Sequence, residues 1–278
     1  MMSKKKWSRS SPDTVELLFT AVDEDDRVNE NTSLPDNISL RCSAEEIHHC
    51  YSLCLQFWED GFSRRELLKL VDTLYNGGEL SEAERMQYKF IRARYKHLRF
   101  AQRLYSKNHR SDSLFSQTTV VLGHFQDAFR NENKRNIRRY GAALRILLST
   151  PVWTIVHYNL RRTRLDDEQG FTTYRQQKIR GLQQMIKKSA LTGDEFHEVR
   201  KVISQQVSFY DTVRSLDPGN RDAFEISRFL SNINGLMGDR HDVMVSDKLA
   251  GINSYDAPVS LDENIRQPLE LLIARYPV

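Results

Sequence analysis

His197, Arg200 and Lys201 fall within five residues of one another in the stretch EFHEVRKV, at the start of a segment whose apolar positions recur at helical spacing. Steps of three and four put the three side chains on one helical face. An imidazole, a guanidinium fork and an ammonium presented together suit a chain of phosphates. Arg grips two oxygens at once, Lys supplies a point charge and His donates a hydrogen bond. Two further clusters have the same character. In IRARYKHLRFAQR, the residues Arg92, Lys96, Arg99 and Arg103 recur at intervals of four, three and four. In KRNIRRYGAALR, Arg138, Arg139 and Arg145 follow Arg135 along a second stripe, while Ile137, Tyr140, Leu144 and Leu147 take another face. No Asp or Glu lies within 85–111 or 134–145. Like charges at this spacing repel by a few tenths of a kcal/mol per pair, about 0.2–0.5, so relief must come from outside the helix.

The whole chain repeats this imbalance. Its formal charge of +4 conceals 26 Lys and Arg against 10 Asp and Glu between Arg85 and Ser215, and 15 against 27 elsewhere. A basic middle between acidic flanks points to a polyanionic partner. Catalysis finds little support: there is no G-x-S-x-G, P-loop, HExxH or paired-carboxylate arrangement. The stretch IHHCYSLC offers His48, His49, Cys50 and Cys54, but structural zinc sites draw four ligands from two separated pairs, and no second pair exists. Buried cysteines on an amphipathic helix are the expectation there. His241 with Asp239 and Asp242 diverges around a helix and reads as a helix end, so neither metal nor cofactor is expected. Three cysteines do not staple 278 residues, which fits a reducing cytosol. No apolar run reaches the roughly 18 residues of a membrane span. The opening MMSKKKWSRSS runs into VDEDD where an export signal needs an apolar core.

The elements that must position these residues read as helices throughout. Residues 1–40, polar and acidic, are expected to form a flexible or docked arm outside the core, and 41–278 a helical domain. Helices are predicted from Ser43 to about Asp60 (S-A-E-E is a cap followed by its glutamate), over FSRRELLKLVDTLYNGG and over 79–107. Others follow at 111–131, 133–149, 168–190, 192–215 and 220–250, with a possible break at Gly235 or Gly238, and over 261–275. TTVVLG and VWTIVHY are rich in β-branched residues but have no hairpin partner, so both are assigned to helices. The fold class is all-α.

The order of these pieces repeats. His197 and Arg200 precede the apolar pair Leu236–Met237, then Gly238 and Asp242; His97 and Arg99 precede Val121–Leu122, then Gly123 and Asp127. A glycine lets helices approach closely, and an aspartate can orient an arginine. The H-x-x-R-K helix followed by an apolar-Gly-x-x-x-Asp helix resembles the CHAD family, with His197, Arg200, Gly238 and Asp242 at the recognisable positions. The match is best over 192–250 and weaker over 88–131, and the family's later basic positions hold Ser204 and Val207 here. The resemblance implies two related antiparallel four-helix bundles, about 80–165 and 168–250, with a helical tail at 261–275. It also implies non-catalytic binding of inorganic polyphosphate in a basic groove. RNA or DNA binding is the alternative, since Phe90, Tyr95, Phe100, Tyr105 and Tyr140 lie among the cations, where bases can stack. A third reading is an adaptor whose basic face meets a protein partner. His197, Arg200 and Lys201 lie off the seam of Phe196, Val199 and Ile203. They are therefore expected to serve binding rather than folding, with a pH effect below about 6.5 from an unperturbed imidazole.

Overall fold

The structure, a computed structural model, describes residues 7–29, 32–249, 251–252 and 254–277. Among the described residues there are eleven helices and no strand: α1 Pro12–Asp23, α2 Ala44–Asp60, α3 Arg64–Tyr75, α4 Glu82–Tyr105, α5 Ser113–Arg130, α6 Lys134–Leu147, α7 Thr150–Arg161, α8 Glu168–Ile186, α9 Gly193–Leu216, α10 Arg221–Leu249 and α11 Glu263–Ala274. Their starts are written locally. Ser63, Ser81 and Thr192 each accept from the backbone of a glutamate three residues on, and that glutamate accepts from the cap's own N–H. Ser43 and Glu46 make the same reciprocal pair before α2. Such boxes satisfy two otherwise orphaned donors. The two β-branched stretches lie inside α5 and α7, and α10 runs unbroken through Gly235 and Gly238.

The chain divides into two compact units: the described residues through Val15 with Ile47–Asp166, and Glu16–Glu46 with Asp167 onward. In the first, α3 packs on α4, α4 on α5, α5 on α6, and α6 back on α3, closing a ring of four. Its core is aromatic. Trp58 of α2 is fully buried, with ring centroids 5.5 Å from Tyr95, 5.4 Å from Phe115 and 5.3 Å from Trp153. The Tyr88 hydroxyl donates to the Leu122 carbonyl at 2.9 Å, joining α4 to α5.

In the second unit, α9 and α10 form an antiparallel hairpin. Ser204 meets Asn234 at 2.7 Å and Ser227 donates to Asp211 at 2.6 Å, a matched register along both helices. From Val202 to Thr212, α9 is buried on every side, including Gln205, Gln206 and Ser208. The expectation that 1–40 lies outside the core is corrected. Leu18, Ala21, Ile38 and Leu40 are buried, the Ile38 amide donates to the Arg275 carbonyl, and Asn234 donates to the Asp25 carbonyl at 3.0 Å. Leu18, Ala21 and Val22 recur at three and four, an apolar stripe that the surrounding acids conceal.

Arg175 of α8 holds this unit's centre. It is fully buried, donates to the Gln206 amide oxygen at 2.9 Å and the Tyr210 hydroxyl at 3.1 Å, and lies 4.1 Å from the Phe209 ring centroid. Replacing it with Ala opens a cavity and strands two buried polar partners, so Arg175→Ala should cost about 3–5 kcal/mol. Urea unfolding measures this directly, and a loss below about 1 kcal/mol would count against the keystone role.

Candidate functional site

The basic stripe of α4 begins after its capping box, beyond which the helix carries no acid. Arg85, Arg92 and Arg99 are seven residues apart, and Lys96 and Arg103 fall on the same side, so five cations follow about 27 Å of one helix face. Arg92 reaches across to α5, where it donates to Gln126 at 3.1 Å and lies against Gly123. A Cβ on that glycine would stand 3.4 Å from the guanidinium. Arg99 is half-buried, and its Nε is buried with no hydrogen-bond partner among the described residues. Burial, then the neighbouring Arg103 charge, pushes its guanidinium down to about 10, still charged at neutral pH.

His97 does not belong to this face. It is buried beside Phe57, and burial, then the charges of Lys96 and Arg94, push its imidazole down to about 3, which makes it a neutral core group. The sequence pairing of His97 and Arg99 with His197 and Arg200 is therefore corrected: Arg92 faces Gly123 as Arg200 faces Gly238. Of the aromatic residues between the cations, Phe90 and Tyr140 are half-buried and the other three are core. Tyr95, Phe100 and Tyr105 are buried, and Tyr140 stacks on His124 at 5.3 Å.

The helix ring opens at one end into a cavity of about 790 Å³. The C-terminus of α3, the start of α4, the end of α5 and the start of α6 meet there. Arg85, Arg130, Lys134, Arg135 and Arg138 line it, with Glu79 and Glu132 as the only carboxylates of its wall. All five cations are exposed, and none has an ion-pair partner among the described residues. Lys134 and Arg135 occupy the first turn of α6, which contains no acid. The helix dipole disfavours cations there by about 0.3–1 kcal/mol, so they are not placed for helix stability. Leu74, Tyr75, Phe129 and Ile137 form the apolar part of the wall.

The remaining candidates separate. Arg139 is exposed beside the Tyr140 ring, whereas Arg145 is committed to α3, 3.1 Å from Asp72 and 4.9 Å from the Tyr75 ring centroid. The two stripes do not face each other. Both α3 and α5 pack on α4 and on α6, which sets the stripe-bearing helices on a diagonal, and the stripes share the cavity only through Arg85 of α4 and Arg135 and Arg138 of α6. Sequence reasoning passed over Arg85 and Arg130. The signal for Arg85 was its seven-residue step before Arg92.

In the second unit, His197, Arg200 and Lys201 do share one face of α9. Lys201 is paired with Glu198, and Arg200 lies against Gly238, whose absent Cβ would stand 3.0 Å from its guanidinium. The His197 ring is 5.6 Å from that of His241, which meets the Tyr255 hydroxyl at 3.1 Å. Among the described residues no group of His, Cys, Asp and Glu is arranged to hold a metal. Comparison of the chain with known protein families, with characterised protein sequences and with solved structures finds no match.

Burial, then the charges of Lys201, His241 and Arg200 against the opposing Glu198, hold His197 below its ordinary value. Any protonation effect on binding therefore moves to a pH lower than the 6.5 of a free imidazole. The unfolded state takes up this proton first, so His197 removes stability as pH falls through 6.5. A proton NMR titration should give a His197 midpoint below that of a model imidazole; a midpoint at or above about 6.5 contradicts the packing described.

Proposed function

We propose that this chain is a non-catalytic, CHAD-like polyanion-binding protein whose first ligand is inorganic polyphosphate, bound in the first unit. One observation carries the reading: a cavity walled by five unpaired cations lies at the head of a cationic face of α4. A chain of phosphates entering at Arg135 and Arg138 and running past Arg92 and Lys96 toward Arg103 meets a charge at each step. It also supplies an acceptor for the buried Arg99 Nε, a group that otherwise costs about 1–3 kcal/mol. Polyphosphate is favoured over RNA or DNA because Tyr95, Phe100 and Tyr105, which lie among the α4 cations, are buried and offer no platform for bases. His197, Arg200 and Lys201 contribute a secondary contact, weakened by the ion pair of Lys201 with Glu198. No helix among the described residues is long and apolar enough to cross a membrane, and three buried cysteines outside any disulfide support a cytosolic setting.

Competition at fixed salt tests this. Short-chain polyphosphate should displace a labelled oligonucleotide irrespective of base sequence. Binding of neither polymer at moderate salt leaves the protein-adaptor reading in its place. Exchanging Arg85, Arg135 and Arg138 for Gln should leave stability within about ±1 kcal/mol, as expected of exposed positions. The slope of log affinity against log salt should flatten by about two to three units, somewhat less than one per lost phosphate contact. An unchanged slope moves the site elsewhere.

A further inference from the structure

The cavity's wall is not what inorganic phosphate alone would select. Glu79 and Glu132 stand in it beside the five cations, and Tyr75, Phe129 and Ile137 leave half-buried apolar surface facing the same space. A chain of bare phosphates presents only negative charge and acceptors, so two carboxylates repel it and gain no donor in exchange. They become useful when the ligand also carries hydroxyl or amino groups, which a carboxylate accepts in strong, charge-assisted hydrogen bonds. The apolar wall calls for a flat or apolar body attached to the same ligand. Phe129 is held in place by edge contacts to Tyr88 at 5.2 Å and Phe125 at 5.9 Å, so its surface is already arranged before binding. Gly77, at φ 87°, closes the α3 end with open space where a side chain would stand. The volume of about 790 Å³ lies in the range of roughly 300–1,000 Å³ found for sites that enclose a small molecule.

From these features we infer that the cavity takes a nucleoside polyphosphate. The phosphates lie on Arg130, Arg135 and Arg138, the sugar hydroxyls on Glu79 and Glu132, and the base over Phe129 and Ile137. This inference rests on the polyanion reading and narrows it: the cavity recognises the nucleotide, and the α4 face remains a track for phosphates alone.

Calorimetric titration at one ionic strength, without added divalent metal, compares ATP, GTP and inorganic triphosphate. ATP or GTP should bind about tenfold or more tightly than triphosphate, a difference of about 1.4 kcal/mol. In the double variant Glu79→Gln, Glu132→Gln, both ligands are relieved of repulsion but only the nucleotide loses acceptors, so the nucleotide-to-triphosphate affinity ratio should fall at least about threefold. Both positions are exposed, and circular dichroism verifies that the variant is folded. Triphosphate binding as tightly as either nucleotide, or a ratio unmoved in the variant, overturns the inference while the polyanion reading stands. Binding of long-chain polyphosphate with none of the three small probes overturns it in the same way. If polyphosphate fails as well, both readings fall together.

Discussion

An arginine can lie between two packed helices only where the facing residue leaves room for it. In the first unit that room is Gly123, across which Arg92 reaches to Gln126; in the second it is Gly238, against which Arg200 lies. A side chain at either position would stand 3.4 or 3.0 Å from the guanidinium. The glycines thus keep a cation at a helix–helix seam without prying the helices apart. Glycine inside a helix costs about 1 kcal/mol relative to alanine, so its presence mid-helix needs this kind of return.

The two units use polar groups in opposite ways. The first is built on an aromatic core around Trp58, and the five cations of its cavity stay exposed, with no ion-pair partner among the described residues. The second buries its polar groups. Arg175 lies among Phe209, Tyr210 and Gln206, and Asp211 is tied to Ser227 and Arg214. Burial pushes the Asp211 carboxyl up to about 6 even against those partners. Since the folded state then holds this proton more tightly than the unfolded one, Asp211 contributes stability below about pH 6 that is lost as pH rises through that value. Buried groups of this kind favour one register of α9 against α10.

The contrast explains why cationic composition and cationic availability are different things. Arg138 and Arg145 lie two helical turns apart on α6 and read alike in sequence. One lines the cavity, while the other is held by Asp72 and Tyr75 of α3. Lys201 is similarly engaged by Glu198, three residues before it. A charge stripe therefore overstates a site until each partner is known.

The sequence by itself determined the all-α class and most helix limits, because capping boxes, glycine stops and apolar spacing act within a few residues. Ser63–Glu66, Ser81–Glu84 and Thr192–Glu195 are legible for that reason. It also determined the basic character of 85–145, since charge is a property of composition, and it marked Gly123 and Gly238 as places of close approach. Tertiary structure alone decided which cations converge. Arg85, Arg130 and Arg135 come from three helices and meet only because the helix ring places their ends together. It likewise decided that Leu18, Ile38 and Leu40 are core and that His97 is a neutral buried imidazole. Burial and partner choice depend on surfaces brought from distant parts of the chain, and no local pattern encodes them.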